Sequence, residues 1–262
     1  MSDRESVLVV IPARLGSTRL PEKCLLPLCG KPMIVWVAEA ASRSRRADRV
    51  VVATDHERIV DTVKAAGFEA VMTRKDHPSG TDRVAEAAAG SHADVIINVQ
   101  GDEPLMDPQL VDRLADTMQH ASGWDMATAA SPMTNPGDLD QPSVVKVVCD
   151  KDGRALYFSR APIPFPRDGE PAPPRLYWRH LGVYAYRRAF LERLVATPPC
   201  PIEQAEKLEQ LRALYIGGRI AVLETEDRGA GVDTPADIAR VEHLLQTRDV
   251  ANRDGIEAQV SV

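Results

Sequence analysis

Continuous apolar runs alternate, along the first half of the chain, with segments in which apolar residues recur every three or four positions. The runs have the length and β-branched content of strands buried on both faces, and they are VLVVIPA (7–13), RVVVATD (49–55), FEAVM (68–72) and DVIINVQ (94–100). The segments between and after them have the periodicity of helices with one apolar face, and they cover 31–46, 56–67, 81–90 and 107–119. This βαβαβαβα order predicts a doubly wound α/β sheet, which binds ligands beyond the carboxyl ends of its strands, near the point where the strand order reverses.

The second half of the chain has a less regular pattern. Residues 144–160 predict a hairpin around an Asp-Gly turn, and the six prolines of 161–174 predict an irregular loop. The remaining predicted elements are strands over 180–187 and 219–225 and helices over 188–195, 203–215 (Tyr215 on its buried face) and 233–246 (Thr234 as N-cap). The tail, 247–262, has no periodicity and is expected to be disordered. Together the elements predict one α/β domain over 1–246, a three-layer αβα fold with a mainly parallel, mixed central sheet and a smaller β-rich extension.

The composition is that of an ordinary folded protein: of 262 residues, 44% are hydrophobic and 27% charged, and the net charge is −6. An acidic chain does not favour nucleic acid or an anionic membrane as a partner, so any anion site must be a local concentration of positive charge. The four cysteines show no C-x-x-C spacing, which favours free thiols in a reducing compartment. The start, MSDRES, resembles no signal peptide, and no apolar stretch approaches the roughly 18–20 residues of a membrane helix. The expectation is a cytoplasmic protein without membrane insertion.

The loop after the first strand, RLGSTRLPEKCLLPLCGKP (14–32), is basic and punctuated by glycine and proline. It is not a Walker loop, because its Gly-Lys pair is followed by proline, and it lacks the G-x-G-x-x-G pattern. It nevertheless places Arg14, Arg19 and Lys23 at the carboxyl end of a buried strand. The sequence therefore predicts a polyphosphate-binding loop. The alternative is a solvated surface loop.

The fourth predicted strand ends in NVQGDEP (98–104), where a glycine permits close backbone approach and Asp102 and Glu103 follow it. Acidic residues at the carboxyl end of a central strand, opposite a basic loop, are suited to holding Mg²⁺ together with a nucleoside triphosphate. The alternative is an acidic turn that caps the next helix.

The segment TRKDHPSGTDR (73–83) adds Arg74 and Arg83 at the carboxyl end of the third predicted strand. The backbone of its Ser-Gly-Thr turn is suited to reading the polar edge of a base. A purely structural role is also open, in which Thr81 is the N-cap of the next helix.

Four further residues each have an ordinary structural explanation. Asp233 precedes the last helix, where the helix dipole favours an acid, and a functional role requires a second acid across the site. His180 is a lone histidine before an apolar strand, while Glu209 and Gln210 could form a solvated helix face with Arg212. The other five histidines are scattered, and neither a catalytic triad nor a zinc site is evident.

A set of motifs occurs in the order VVIPARLGSTRLPEK, VVATDHERI, TRKDHPSGTDR, NVQGDEP, VVKVVCDKDGRALYFSR, RHLGVYAYR, EKLEQLR and GVDTPADI. In this order they resemble the 3-deoxy-manno-octulosonate cytidylyltransferases, or CMP-Kdo synthetases, from Val7 to Leu245. The first motif and QGDEP are shared with nucleotidyltransferases more widely, whereas SRAPIPFPR, RHLGVYAYR and EKLEQLR narrow the resemblance to the Kdo enzymes. One departure is that Glu22 and Cys24 flank the loop lysine, where the family usually has a small residue before it and a proline after it.

The resemblance implies a nucleotide-diphospho-sugar transferase-like fold, with a nucleotide-binding half over about 7–130 and a sugar-binding and dimerisation part over about 131–225. It implies transfer of CMP from CTP to the anomeric hydroxyl of Kdo with release of pyrophosphate, which activates Kdo for lipopolysaccharide biosynthesis. It also implies a homodimer and a requirement for Mg²⁺.

The resemblance also implies roles for individual residues. The CTP contacts would be Pro12, Ala13, Arg14, Lys23, Arg74, Ser79, Gly80 and Gln100. The Kdo contacts would be Arg19, Gln100, His180, Tyr184, Glu209 and Gln210, with Arg19 pairing with the sugar carboxylate. Asp102 and Asp233 would hold Mg²⁺ and, with Arg14 and Lys23, form the catalytic set.

Three alternatives remain open at this point. The sugar acid could be a sialic acid or an amino-Kdo. A glycosyltransferase on the same sheet would typically present a metal-binding D-x-D, where this chain has Asp102 and Glu103 followed by proline. A catalytically silent nucleotide sensor would be expected to lose Lys23 or one of the two paired acids.

Overall fold

The computed structural model describes residues 5–16, 20–121, 123–167, 176–227, 229 and 231–260. The strands are β1 Val7–Ala13, β2 Pro27–Leu28, β3 Lys31–Pro32, β4 Arg49–Thr54, β5 Glu69–Met72, β6 Val95–Asn98, β7 Met126–Pro132, β8 Lys146–Cys149, β9 Ala155–Ser159, β10 Trp178–Arg187 and β11 Ile220–Glu224. The α-helices are α1 Met33–Ser42, α2 Glu57–Ala65, α3 Gly80–Ala89, α4 Pro108–His120, α5 Arg188–Ala196, α6 Pro201–Glu206, α7 Gln210–Tyr215 and α8 Pro235–Val260.

The central sheet has the strand order β11-β7-β10-β6-β1-β4-β5, and the β8–β9 hairpin extends it from β10. Strand β1 pairs in parallel with both β4 and β6, and β10 is antiparallel to its neighbours β6 and β7. The chain runs outward from β1 to β4 and β5 and then returns to the other side of β1 with β6. The strand order therefore reverses at β1, and the carboxyl ends of β1 and β6 open a crevice of the kind that binds ligands in such sheets.

The layers follow from the residues of β1, which are buried on both faces. Val9 and Ile11 pack into an apolar core that also contains residues of α1 and α4, whereas Leu8 and Val10 pack into a second core that contains residues of α3 and α5. Each such side chain contributes about 1.5–3 kcal/mol when it is removed from water. The predicted αβα fold with a mainly parallel, mixed sheet is confirmed.

A third apolar cluster lies outside these two cores and fastens the last helix to the loop after β1. Its buried members are Leu20, Leu28, Met33, Leu105, Val232, Val241 and Leu245. In the same region the backbone N–H of Cys29 donates to Glu242 of α8 at 2.8 Å. The packing therefore brings the first three turns of α8 against the basic loop, although the two are more than 200 residues apart in sequence.

The structure differs from the predicted elements in the second half of the chain. The predicted helix over 203–215 is two helices, α6 and α7, because Lys207 adopts a left-handed backbone conformation (φ 54°). The break turns Tyr215 to the surface, so the prediction that it is buried was wrong. Helix α8 continues to Val260, where the sequence predicts a disordered tail. No proline interrupts 247–260, so nothing in the backbone forces the helix to end after Gln246.

Two smaller differences concern strand β7 and the start of α3. The sequence assigns no element to β7, MATAASP. Most of its residues are small and give no apolar signal of a strand, yet almost all are buried. The N-cap of α3 is Ser79 and not Thr81: the Ser79 hydroxyl accepts a hydrogen bond from the N–H of Asp82 at 3.2 Å. The N-cap predicted for α8 agrees with the structure, because the Thr234 hydroxyl accepts from Asp237 N–H at 3.3 Å. Among the described helices, none is long and apolar enough to cross a bilayer.

Candidate active site

Two adjoining cavities open at the carboxyl ends of β1 and β6. The smaller, of about 340 Å³, is lined by most of the residues predicted to contact CTP, namely Pro12, Ala13, Arg14, Lys23, Ser79, Gly80 and Gln100. The larger, of about 590 Å³, is lined by five of the six residues predicted to contact Kdo, namely Gln100, His180, Tyr184, Glu209 and Gln210. The residues common to both linings are Gly80, Gln100, Glu209 and Asp233. The fold thus gathers the two predicted substrate sets into neighbouring spaces with a shared wall.

Lys23, Asp102 and Asp233 form an ionic cluster in the smaller cavity. The Lys23 ammonium donates to Asp102 Oδ2 at 2.6 Å and to Asp233 Oδ1 at 2.8 Å. The lysine side chain is only 14% exposed. Burial by itself lowers the pKa of Lys23, but the charges and hydrogen bonds of the two carboxylates outweigh burial and raise the pKa overall. Lys23 is therefore positively charged at neutral pH and holds the two acids together.

The basic loop is fastened on both sides of Lys23 by the two residues that depart from the family pattern. Glu22 has a left-handed backbone (φ 53°) and forms a two-bond ion pair with Arg58 of α2. Cys24 is buried, and its thiol donates to the carbonyl of Arg14 at 3.5 Å. Burial raises the pKa of the Cys24 thiol to about 11, so it is a packed and unreactive group.

Asp102 and Asp233 are positioned by their backbones. The N–H of Val232 donates to the carbonyl of Asp102 at 3.0 Å, which ties the turn after β6 to the segment before α8. At the start of α8, the Asp237 carboxylate accepts from the N–H groups of Asp233 at 3.1 Å and Thr234 at 2.9 Å. The two acids therefore meet because two separate turns are bonded to each other.

The carboxylates of this cluster suit a divalent cation of the Mg²⁺ type. Asp102 Oδ2 and Asp233 Oδ1 already share one cationic partner, the Lys23 ammonium. Mg²⁺ is commonly held by one or two carboxylates while substrate phosphates and water complete its coordination. In the described part of the chain, no group of three or more His, Cys, Asp or Glu side chains forms a ready-made metal site. The donor set therefore fits a cation that arrives with a phosphate ligand.

Arg83 and Asp55 form a pair beside the site to which the sequence assigned no role, although it marked Arg83 as a cation after the third predicted strand. Arg83 is buried, lines the smaller cavity and donates to Asp55 Oδ2 at 3.2 Å. Asp55 Oδ1 in turn accepts from the backbone N–H of Leu15 at 3.3 Å. The pair links the start of the basic loop to α3. The signal in the sequence was the position of Asp55, directly after a buried strand.

Of the remaining predicted residues, one lies outside both cavities and the other outside the described residues. Arg74 is exposed, lies 3.5 Å from Glu86 and does not line the smaller cavity. Arg19 lies outside the described residues, as do 168–174 of the proline-rich loop; residues 161–167 are irregular, as predicted.

The larger cavity has a polar wall built on β10 and α7. His180 Nε2 lies 3.0 Å from Thr128 Oγ1, and burial lowers the pKa of His180 to about 3. The Tyr184 hydroxyl donates to Gln210 Oε1 at 3.4 Å, and the Thr81 hydroxyl donates to Glu209 Oε2 at 2.6 Å. At neutral pH His180 is thus an uncharged hydrogen-bonding group, suited to a sugar hydroxyl and not to charge pairing.

Positive charge in the larger cavity comes from residues that the sequence did not single out. Arg179, Lys207 and Arg240 all line it. Lys207 sits at the break between α6 and α7, and Arg240 Nη2 donates to Asp237 Oδ1 at 3.0 Å. The same cavity is lined by four acids, Glu103, Glu209, Asp233 and Asp237. The three cations are therefore local sites for the carboxylate of a substrate and do not make the whole wall positive. The signal for Arg179 was its position beside His180 at the start of a strand.

Comparison with known proteins identifies the family. Residues 8–220 match the cytidylyltransferase family. The solved structure of a CMP:2-keto-3-deoxy-manno-octonic acid synthetase complexed with CTP is 43% identical, with a TM-score of 0.88 over 93% of this chain and 99% of that one. Two solved structures share the fold at low identity. One is a cytidylyltransferase from Leptospira borgpetersenii serovar Hardjo-bovis (18% identity, TM-score 0.59, 91% of this chain and 85% of that one).

The second solved structure that shares the fold at low identity is a 4-diphosphocytidyl-2C-methyl-D-erythritol synthase from Anaerococcus prevotii (12% identity, TM-score 0.63, 92% of this chain and 99% of that one). The predicted resemblance is confirmed by the match at 43% identity, which extends over nearly the whole of both chains. The chain therefore belongs to the cytidylyltransferase family and, within it, to the CMP-Kdo synthetases.

Proposed function

We propose that this enzyme transfers CMP from CTP to the anomeric hydroxyl of Kdo, with release of pyrophosphate. The observation that carries the proposal is the ionic cluster of Lys23, Asp102 and Asp233, which lies in the smaller cavity and reaches the larger one through Asp233. A reaction between two bound anions needs charge neutralisation at their meeting point. The Lys23 ammonium and a cation held by the two carboxylates would supply it, and Asp233 lines both cavities.

In the proposed reaction the anomeric oxygen forms a bond to the α-phosphorus of CTP while the bond to the bridging oxygen of pyrophosphate breaks. The hydroxyl proton passes to solvent water, and pyrophosphate leaves with the electrons of the broken bond. Such a transfer requires little covalent chemistry from the protein, so the rate comes from alignment and electrostatic stabilisation. Arg14 and Lys23 neutralise the triphosphate in the smaller cavity, while Tyr184, Glu209 and Gln210 orient the sugar in the larger one.

Asp102 and Asp233 would hold Mg²⁺ in the proposed enzyme. When bound there, the ion supplies Lewis acidity that lowers the pKa of the attacking hydroxyl and offsets the charge of the α-phosphate. Lys23 has three donor hydrogens and a flexible stem, so it can turn from the carboxylates to the phosphates. The side chain that holds the acids together in the free enzyme thereby becomes a phosphate ligand when CTP binds.

The wider setting of the proposal is a cytoplasmic homodimer that supplies activated Kdo for lipopolysaccharide biosynthesis. The apolar surface of the β-rich extension supports a second copy as partner. Strand β9 pairs only with β8 among the described strands, Leu156 on β9 is exposed, and Phe165 beyond it is 81% exposed. Edge strands and exposed apolar groups of this kind are usually covered. Light scattering should give twice the 28.7 kDa chain mass.

The test of the proposed function is release of pyrophosphate from CTP in parallel reactions with Kdo, amino-Kdo and a sialic acid, each with Mg²⁺ and with a chelator. We expect pyrophosphate release with Kdo and Mg²⁺. The kcat/KM for Kdo should be at least about tenfold above that for the other sugar acids. A preference for another sugar acid would make that acid the substrate in place of Kdo. No pyrophosphate release with any of the three would contradict the proposed function.

A further inference from the structure

His77 lies in the loop between β5 and α3 and lines the smaller cavity. Its side chain is only 3% exposed. The ring nitrogen Nε2 is hydrogen-bonded to Glu86 Oε2, whereas Nδ1 is buried and has no hydrogen-bond partner among the described residues. The ring is thus held by one polar atom and has the other unsatisfied beside a cavity.

Glu86 fixes both the position and the chemistry of the ring. Its carboxylate also accepts from the backbone N–H of Arg74, at 3.2 and 3.3 Å. Partial burial by itself raises the pKa of Glu86, but the hydrogen bonds from His77 and Arg74 outweigh it and lower the pKa overall. An ionised carboxylate can only accept, so the proton of the imidazole lies on Nε2. In the neutral ring Nδ1 is then an acceptor.

Among the described buried polar atoms without a hydrogen-bond partner, His77 Nδ1 differs from the others in belonging to a residue that lines the smaller cavity. Buried polar atoms are rarely left without a partner, because their desolvation is not compensated. The other buried side-chain atoms without a hydrogen-bond partner in the described part of the chain belong to Thr54, Gln119, Ser131 and Asp116, and the Asp116 atom forms an ion pair with Arg46. None of these four residues lines the smaller cavity, whereas His77 does.

An acceptor at this position discriminates between the two pyrimidines. Cytosine carries an amino group at C4, which donates, whereas uracil carries a carbonyl oxygen there, which accepts. We propose that His77 Nδ1 accepts a hydrogen bond from the exocyclic amino group of cytosine and so selects CTP over UTP. The inference rests on the proposed function, since it assigns the base of the proposed nucleotide substrate to this part of the cavity.

Two substitutions separate the two nitrogens of the ring. In His77→Gln the amide nitrogen falls near the position of Nε2, so the bond to Glu86 can be kept while the acceptor at Nδ1 is removed. In His77→Asn the amide oxygen falls near the position of Nδ1, so an acceptor is retained there while the bond to Glu86 is lost. Lys75→Gln, at an exposed position in the same loop, is the matched control.

The measurement is the ratio of Kd for UTP to Kd for CTP, by calorimetry, and the ratio of kcat/KM for the two nucleotides with Kdo. The ratio should fall at least about tenfold in His77→Gln, fall less in His77→Asn and stay unchanged in Lys75→Gln. An unchanged ratio in His77→Gln, or an equal loss of affinity for both nucleotides, would overturn the inference. Absence of turnover in the wild type would contradict the proposed function alone, because the binding ratios still test His77. If His77→Gln does not fold, His77→Phe, which has no polar ring atom, replaces it as the variant without an acceptor. The inference is then overturned if the wild type does not distinguish CTP from UTP, or if His77→Asn is less selective than a folded His77→Phe.

Discussion

A side chain on Gly101 would collide with the backbone of Pro12, because the position of its β-carbon lies 2.7 Å from the Pro12 carbonyl oxygen. Pro12 lies in β1, the strand that leads into the loop of Lys23, and Gly101 directly precedes Asp102 after β6. The turn that carries Asp102 therefore touches the end of β1 at this point. A Gly101→Ala change must therefore separate them by several tenths of an ångström.

Since catalysis depends on alignment, Gly101→Ala should lower kcat about 10–100-fold, in line with the roughly 10²-fold cost of a 1 Å misplacement. Steady-state pyrophosphate release measures this loss. Gly90→Ala is the matched control, because an added β-carbon there meets nothing closer than 3.9 Å. A wild-type kcat in Gly101→Ala would show that the contact between β1 and the turn after β6 does not set the geometry of the site.

Replacement of Asp102 by asparagine should nearly abolish turnover and leave the fold intact. The change removes one of the two carboxylates that hold the Lys23 ammonium, and amides are weaker ligands for a hard cation. The fold should survive because Asp102 lies in a turn and outside the apolar cores.

Circular dichroism and kcat of the Asp102→Asn variant measure the two expectations. Asp152→Asn, in the exposed hairpin turn, makes the same chemical change away from the site. Turnover of Asp102→Asn within about tenfold of wild type, equivalent to about 1.4 kcal/mol in the barrier, would remove Asp102 from the catalytic set.

The sequence predicts the central part of the fold well for a physical reason. Strands β1, β4 and β6 are buried on both faces or nearly so, and this requires continuous apolar runs that are visible without a structure. Strand β7 is just as buried, but its alanines, threonine and serine are small and give no such signal. The prediction therefore fails where burial is achieved with small residues.

The sequence indicates the residue types of the site but not how they are paired. Lys23 bonds to Asp102 and Asp233 across 79 and 210 positions in sequence. Only the sheet order and the packing of α8 bring these three together. Similarly, the sequence leaves Arg212 open as part of a solvated helix face, whereas the break at Lys207 turns it inward to Glu203. The helical periodicity of 203–215 continues through Lys207, so it gives no sign that the helix is broken there.

The burial of His180 predicts a dependence of stability on acid. The pKa of His180 is lowered to about 3 in the folded protein, from an ordinary 6.5 when the chain is unfolded. Below pH 6.5 the unfolded state binds a proton that the folded state does not, and this favours unfolding. The contribution of neutral His180 to the free energy of unfolding is therefore fully present at neutral pH and is lost as the pH falls towards 3.

His180→Gln removes this titration. The free energy of unfolding of the wild type, minus that of the variant, should fall by about 2–3 kcal/mol between pH 7 and pH 4.5. Urea unfolding of both proteins at a series of pH values measures the difference, and acidic groups common to both cancel. A difference that is flat with pH would mean that burial does not lower the pKa of His180 in the folded protein.

The buried ion pair between Glu203 and Arg212 should matter far more to stability than an exposed pair of the same chemistry. Their side chains are 8% and 10% exposed, whereas those of Glu69 and Arg49 are 52% and 45% exposed. Arg212→Met leaves the Glu203 carboxylate buried without its cation, which typically costs about 3–5 kcal/mol. Arg49→Met leaves its partner in water and should cost less than about 1 kcal/mol.

Urea unfolding measures both losses, and kinetics add a second consequence. The pair joins α6 to α7, and α7 begins with Gln210 in the wall of the larger cavity. Arg212→Met should therefore also raise the KM for the sugar acid more than the KM for CTP. The double variant Glu203→Gln, Arg212→Met should be more stable than Arg212→Met alone, because it leaves no buried charge unpaired. Equal losses in Arg212→Met and Arg49→Met would mean that burial does not strengthen the pair.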